Sequence, residues 1–390
     1  MSGFNQSAAA RGGAAGVERV VVLMGGPDAE RAVSIESGRA VAAALTRAGY
    51  DVRSETIGRP DEAELRALLR RHGLTADAEA PLALGGGVVF PALHGPFGEG
   101  GELQRALESI GVGFVGSGSA GSRLAIDKIA TKQAAAELAA TMTPRAAHAE
   151  SSSDAPMRIG VSRTWLLTEA DDLPPAPLPL VVKPNFEGST VGLHVCRDMA
   201  DWSAAVNDSQ SHKPARATIA EPFATGIELT VGLVPTESAD PSTAADAAAG
   251  TEMGESLRAL PLIEIRPAAG LYDYEAKYTR DDTAYVPEPE APGLEPAVLQ
   301  RFSLALAATM QLRDLARADF IYSPETRTAW FLEVNTMPGF TSHSLLPKAA
   351  AHVGVSFEAL CDRLVAAAGV RAGATPARSR NRSARRQQDV

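Results

Sequence analysis

The stretch FLEVNTMPGFTSHSLLP, residues 331–347, decides the fold. Apolar Phe331-Leu332 runs into Glu333-Val334-Asn335, and the chain then meets Pro338-Gly339 and Ser342-His343-Ser344. Burial alone does not ask a strand to end in two polar groups spaced by two. Just upstream, ARADFIYS (316–323) reads as a second strand, and Ser323-Pro324-Glu325 supplies a turn. In an antiparallel hairpin, opposite positions have a constant sum. A turn centred near Thr326 puts Asp319 opposite Glu333 and Arg317 opposite Asn335. Alternation then points all four side chains to one face. Cross-strand partners lie about 5 Å apart at Cβ, so two carboxylates there repel each other unless a cation sits between them. Two carboxylates and an amide form a hard, oxygen-only set that suits Mg²⁺, with water and phosphate oxygens as its other ligands. The same pattern also fits an ordinary solvated hairpin face, and a slip of one residue would break the site.

Working outward, the chain has 390 residues, enough for two or three domains with a sizeable core, and 45% of them are apolar. Two cysteines, Cys196 and Cys361, cannot build a disulfide framework, which points to a reducing cytoplasm. No apolar run approaches the ~20 residues needed to span a membrane. Residues 1–16 lack the apolar core of a signal peptide and read as a disordered lead. The net charge of −10 is uneven: residues 371–390 hold six Arg and one Asp, so the body is more acidic still. Such a body does not favour nucleic acid, and the basic tail reads as solvated and disordered.

The order of elements suggests an α/β class with α+β parts. VERVVVLMGG, DVRSETI, GGVVFPALHG and VGFVGSG read as strands, with SIESGRAVAAALTRAGY and GELQRALESIG as helices between them. This alternation predicts a parallel sheet covered on both faces, ending near residue 118. SRLAIDKIATKQAAAELAA (122–140) predicts one helix. LPLVVKPN and VGLHVCR predict two strands joined through Gly188-Ser189-Thr190, in a small α+β domain spanning 119–219. From 220 to 370, IELTVGLV, LPLIEIR, ARADFIYS and AWFLEVN are strands, and PAVLQRFSLALAATM is a helix. Residues 235–256 have no periodicity and read as a mobile insertion.

Phosphate chemistry needs donors. A Walker loop requires a Gly-Lys pair, and the chain has none. VVKPNFEGSTVG offers instead Lys183 at a strand end and a small-residue tip whose N–H groups and hydroxyls can close over phosphate oxygens. Lys128 is a second candidate cation. Gly116, Gly118 and Gly121 spell the dinucleotide fingerprint, but the acidic residue about 20 positions on, Glu137, lies in an Ala-rich helical run rather than at a strand end. His94 and Glu30 each follow a strand of the parallel sheet, where ligands bind. His94 reads equally as a structural cap, and Glu30 as a charge favoured by a helix dipole.

Six stretches carry a resemblance: GGPDAERAVS (25–34), LHGPFGEGG (93–101), GSG…DK (116–128), VVKP…EGSTVG (181–192), YDYEAKY (272–278) and EVNTMPGFTSHSLLP (333–347). Jointly and in order they resemble the D-alanine–D-alanine ligase family of ATP-grasp enzymes, from about Val17 to Ala368. The resemblance implies a three-domain ATP-grasp fold, with ATP between the antiparallel sheets of the central and C-terminal domains. It implies that ATP phosphorylates one D-alanine and the amine of a second attacks the acylphosphate, for peptidoglycan synthesis. Asp319, Glu333 and Asn335 would be ligands of Mg²⁺ or Mn²⁺, with two ions expected. Lys128, Lys183 and Lys277 would hold phosphates, and Glu187 and Gly188 of the loop would bind the nucleotide. Glu221, Phe223 and Glu228 would contact adenine and ribose. Glu30 would bind the ammonium of the first D-alanine, with His94 nearby, and Ser189 and Tyr278 would tie two loops over the site. Arg317 and the N–H of Gly339 would stabilise the oxyanion, and Ser344 and Leu345 would receive the second substrate. A homodimer is also implied.

The chain departs from the family pattern in Gly98-Glu99-Gly100-Gly101, where Asp is usual at the third position, and in the 235–256 insertion and the tail. Two rival functions also fit the sequence. A D-alanine–D-lactate ligase would use the same chemistry, but Tyr278 argues against it. A non-catalytic ATP-binding regulator would not need every metal, phosphate and oxyanion group.

Overall fold

The computed structural model describes residues 17–75, 87–142, 156–168, 173–211, 217–236, 257–268 and 282–372. The lead, most of the 235–256 insertion and the YDYEAKY stretch with Lys277 and Tyr278 lie outside them, as does the tail beyond 372.

The first unit comprises β1 (Arg19–Gly25), α1 (Arg31–Arg47), β2 (Asp51–Ile57), α2 (Glu62–Arg71) and β3 (Gly87–Pro91), followed by α3 (Gly95–Glu99), α4 (Glu102–Ile110) and β4 (Gly113–Phe114). The strands form a parallel sheet in the order β2-β1-β3-β4. Strand period decides the packing: Val20, Val22 and Met24 enter one core, and Val21 and Leu23 enter the core on the other face. Helix α2 escapes the sequence reading, although Asp61 and Glu64 form a reciprocal capping box at its start.

Next come α5 (Ser119–Ile126) and α6 (Lys128–Met142), where the sequence reading expected one helix over 122–140. The break is at Asp127, whose backbone is extended (φ −79°, ψ 99°). Its carboxylate accepts from the N–H of Ala130, in the first turn of α6, and from Nδ2 of Asn185. An Asp at this place stops one helix and starts the next. There follow β5 (Arg158–Val161), β6 (Trp165–Leu167), β7 (Leu180–Pro184), β8 (His194–Cys196), α7 (Met199–Ser211) and β9 (Thr218–Pro222). Strands β6-β9-β7-β8 form an antiparallel sheet, so the strand 218–222 belongs with residues before it and straddles position 219/220. Leu180, Val182 and Ala220 pack with Trp202 of α7 on one face. Val181, Lys183 and Glu221 therefore take the other.

The last unit holds β10 (Ile227–Pro235), β11 (Leu257–Ala259), β12 (Ile263–Arg266), β13 (Ala284–Pro287) and α8 (Pro296–Thr309). β14 (Ala316–Ser323), β15 (Thr328–Asn335), α9 (Leu345–His352) and α10 (Phe357–Arg371) complete it. Its sheet runs β13-β12-β10-β14-β15-β5, with β11 beside β10. Asp319 pairs with Glu333 and Arg317 with Asn335, the expected register, but the hairpin is not regular. Phe320 pairs with Phe331, so Leu332 is an extra residue, a β-bulge. The bulge has a steric purpose. Phe331 and Glu333 are two apart and would share a face in a regular strand. Here Phe331 stacks edge-on against Phe320 in the core at 5.7 Å, while Glu333 turns to the opposite face beside Asp319.

Candidate active site

A cavity of about 610 Å³ lies between the β7–β8 face and the β10–β14–β15 face. The loop after β7 supplies Glu187 and Gly188, β9 supplies Glu221, the residue just after β9 is Phe223, and Lys183 comes from β7 itself. Lys128 enters from α6, Glu228 from β10, and Arg317, Asp319 and Glu333 from the hairpin. Apolar Val181, Ile265, Ile321 and Leu332 complete its walls. A cavity that combines apolar walls with lysines and carboxylates fits a nucleotide base and its phosphates. The bulged Leu332 is thus a wall residue, which a regular strand would not provide.

Beside it, a smaller cavity of about 50 Å³ is lined by Glu30, His94, Ser189, Asn335, Gly339, Ser344 and Leu345. Gly188, Arg317 and Glu333 line both cavities, so the two meet at the hairpin. The chain after β15 is pinned there by two core anchors. Met337 and Phe340 are buried against the first unit, with Phe340 edge-on to Phe90 at 5.4 Å. The N–H of Phe340 donates to Ser37 Oγ at 3.1 Å. Gly339 sits between the anchors, and a Cβ there would lie 2.7 Å from Ser344 Oγ. Ser344 Oγ accepts from the N–H of Thr341 at 2.9 Å, and Leu345 is buried in the core while its edge lines the small cavity.

Electrostatics concentrate at the junction. Arg317 grips both oxygens of Asp319, Nε to Oδ1 and Nη2 to Oδ2, each at 2.9 Å. Thr230 Oγ1 donates to Oδ1 at 2.7 Å and Asn335 Nδ2 to Oδ2 at 2.9 Å. Lys128 Nζ lies 3.3 Å from Glu333 Oε2 and donates to the carbonyl of Glu187 at 2.6 Å. Among the described residues, no group of three or more His, Cys, Asp or Glu could hold a metal by itself. The chemistry nevertheless fits Mg²⁺ or Mn²⁺ shared with phosphates, because Asp319, Glu333 and Asn335 offer hard oxygens on one face. Such an ion would compete with the guanidinium for Asp319.

In the loop after β7, Ser189 (φ 49°) and Thr190 (φ 65°) adopt left-handed backbones that non-glycine residues rarely hold. Ser189 Oγ donates to Glu30 Oε1, which ties this tip to the start of α1. His94 is buried, with Nδ1 donating to the carbonyl of Met337 at 3.2 Å and Nε2 3.4 Å from Ser37 Oγ. Burial disfavours its charge, but the carboxylates of Glu99 and Glu30 and the Met337 carbonyl outweigh burial and raise its pKa above the ordinary value.

The sequence reading missed Lys132, Thr164, Thr230 and Ser37, all of which touch residues it had singled out. Lys132 had a signal: it follows Lys128 by four positions and shares its helix face. Its Nζ lies 2.6 Å from Glu221 Oε2, and Lys183 Nζ reaches the same oxygen at 3.0 Å.

Family models described as "D-ala D-ala ligase N-terminus" and "D-ala D-ala ligase C-terminus" match residues 19–117 and 172–366. The chain belongs to the D-alanine–D-alanine ligase family. It is 36% identical over 345 residues to the D-alanine–D-alanine ligase of Polaromonas naphthalenivorans, covering 88% of this chain and 91% of that one. With the ligase of Acidiphilium cryptum it shares 36% identity over 355 residues, 91% of this chain and 100% of the other. The fold matches that of the Bacillus anthracis D-alanine–D-alanine ligase complexed with ATP, at a TM-score of 0.65 and 24% identity. That match covers 92% of this chain and 98% of the other. The ATP-grasp arrangement expected from the sequence is therefore the one observed.

Proposed function

We propose that this chain joins two D-alanines to D-alanyl-D-alanine with ATP, through a D-alanyl phosphate, to supply peptidoglycan precursors. The observation that carries the reading is that the large and small cavities share Gly188, Arg317 and Glu333. A phosphoryl donor in the first and a carboxylate in the second would meet there. A carboxylate is a poor electrophile, and phosphorylation converts one of its oxygens into a leaving group. Lys128 and Lys183 would offset the charge of the phosphates as they approach it. Glu30, held by Ser189, would take the ammonium of the first D-alanine and aim its carboxylate at the junction. Attack by the second amine would build a tetrahedral oxyanion, for which Arg317 and the N–H of Gly339 would be the donors, and its collapse would expel the phosphate. Losing one such donor costs about 3–4 kcal/mol of barrier. Ser344 and the start of α9 would receive the carboxylate of the second D-alanine.

A divalent ion held by Asp319, Glu333 and Asn335 would screen the repulsion between phosphate and carboxylate oxygens. Use of ATP supports a cytoplasmic location, and family likeness supports a homodimer, which sedimentation would check. The test is phosphate release from ATP with D-alanine as the sole amino acid, extended to a panel of D-amino and D-hydroxy acids. D-alanine-dependent release with dipeptide as product supports the reading. Nucleotide binding without turnover, or turnover only with a hydroxy acid acceptor, overturns it.

A further inference from the structure

Lys132 is a buried charge that the proposed reaction leaves unused. It is only 3% exposed, one turn beyond Lys128 on α6. Its Nζ donates to Ser162 Oγ at 2.9 Å and to Glu221 Oε2 at 2.6 Å. Lys183 Nζ approaches that same oxygen at 3.0 Å, and Thr164 Oγ1 donates to Oε1 at 2.9 Å. Two ammonium groups thus share one buried carboxylate, and the trio carries a net charge of one.

That surplus matters because Lys183 also lines the large cavity. A buried carboxylate must be balanced by a cation. With Lys183 as its sole counter-ion, Glu221 would hold that lysine in a neutral pair, and a phosphate would have to compete for it. We propose that Lys132 is a positioning residue: its ammonium is the standing counter-ion of Glu221, and it keeps the charge of Lys183 available to the phosphate oxygens of the nucleotide. This rests on reading the large cavity as the nucleotide site. Burial and repulsion from Lys183 bring the pKa of Lys132 down to about 8, with Glu221 opposing the shift. Burial would raise the carboxyl of Glu221, but its two lysines outweigh it and leave the pKa below the ordinary value. Lys132 and Glu221 are therefore both mainly charged near neutral pH.

The experiment compares ADP and adenosine binding by calorimetry on the full chain at fixed Mg²⁺ and pH 7. For Lys132→Met, ADP affinity should fall about tenfold or more while adenosine affinity stays within about twofold. Both losing affinity equally, or neither losing it, overturns the proposal, because Lys132 would then act on the base end, on the fold or on nothing. If Lys132→Met fails to fold, the neutral pair decides. Glu221→Gln with Lys132→Met should bind ADP as Glu221→Gln alone does, since the charge that needed balancing is gone. A further several-fold loss in the double variant overturns the proposal. If the unaltered protein binds adenosine but not ADP, or neither, the nucleotide reading itself fails.

Discussion

Replacing Arg371 by Ala tests how the hairpin is held to the rest of the molecule. Asp314 lies just before β14 and is fully buried. Both of its oxygens accept from the Arg371 guanidinium at the end of α10, Oδ2 at 2.6 Å, and Oδ2 also accepts from the N–H of Gly116 at 2.6 Å. Arg371 Nη2 further donates to the carbonyl of Phe114 at 3.0 Å. The latch thus joins the last helix, the parallel sheet and the strand that carries Arg317 and Asp319. Breaking a buried pair by removing one partner costs about 3–5 kcal/mol, because a charge is left buried. The Arg371 side chain is 22% exposed, so water can reach part of the gap and the lower end, about 3 kcal/mol, is expected. With a urea slope of about 3 kcal/mol per molar, the unfolding midpoint should fall by about 1 M. Adding Asp314→Asn should recover part of the loss, since the unpaired charge is then gone. A midpoint unchanged in Arg371→Ala, or a double variant worse than the single by the full cost of Asp314→Asn alone, would refute the reasoning. Arg371 therefore does not belong to a solvated tail, and a truncation that begins at residue 371 removes a structural ion pair.

Glu333→Gln should lower turnover at least about a hundredfold with the circular dichroism spectrum intact; full activity at ordinary Mg²⁺ would contradict the role of its carboxylate. Gly339→Ala places a methyl 2.7 Å from Ser344 Oγ, so the KM for the second D-alanine should rise several-fold, and pairing it with Ser344→Ala should relieve the clash. Lys132 loses its proton near pH 8 in the folded state, whereas a lysine in an unfolded chain keeps it to 10.5. Between those values the unfolded chain binds more protons, so this group makes stability rise with pH across that window. Urea titrations from pH 7.5 to 10 should show the rise shrink in Lys132→Met, and identical slopes would contradict it.

The central hairpin was legible because β14 and β15 are long and apolar enough to declare themselves. A regular ladder predicts the pairing of Asp319 with Glu333, and the structure makes that pair with a tighter turn and the bulge at Leu332. Local alternation could not reveal that bulge, since only the need to bury Phe331 and expose Glu333 on opposite faces requires it. Strands of three or four residues, such as β5, β6 and β13, carry too few residues for a period to show, and their pairing is set by distant partners. Motifs single out many of the residues that line the two cavities, among them Lys128, Lys183, Glu221, Arg317, Asp319 and Glu333. Supports such as Asp314 with Arg371 and Ser37 with Phe340 meet across long stretches of sequence, where spacing holds no information.

The most direct measurement follows oxygen. If the reaction passes through an acylphosphate at the junction of the two cavities, one carboxylate oxygen of the first D-alanine must leave with the phosphate. D-alanine labelled with ¹⁸O in its carboxylate, turned over with ATP, should yield inorganic phosphate carrying one ¹⁸O per dipeptide formed. Dipeptide formed alongside unlabelled phosphate would contradict the account.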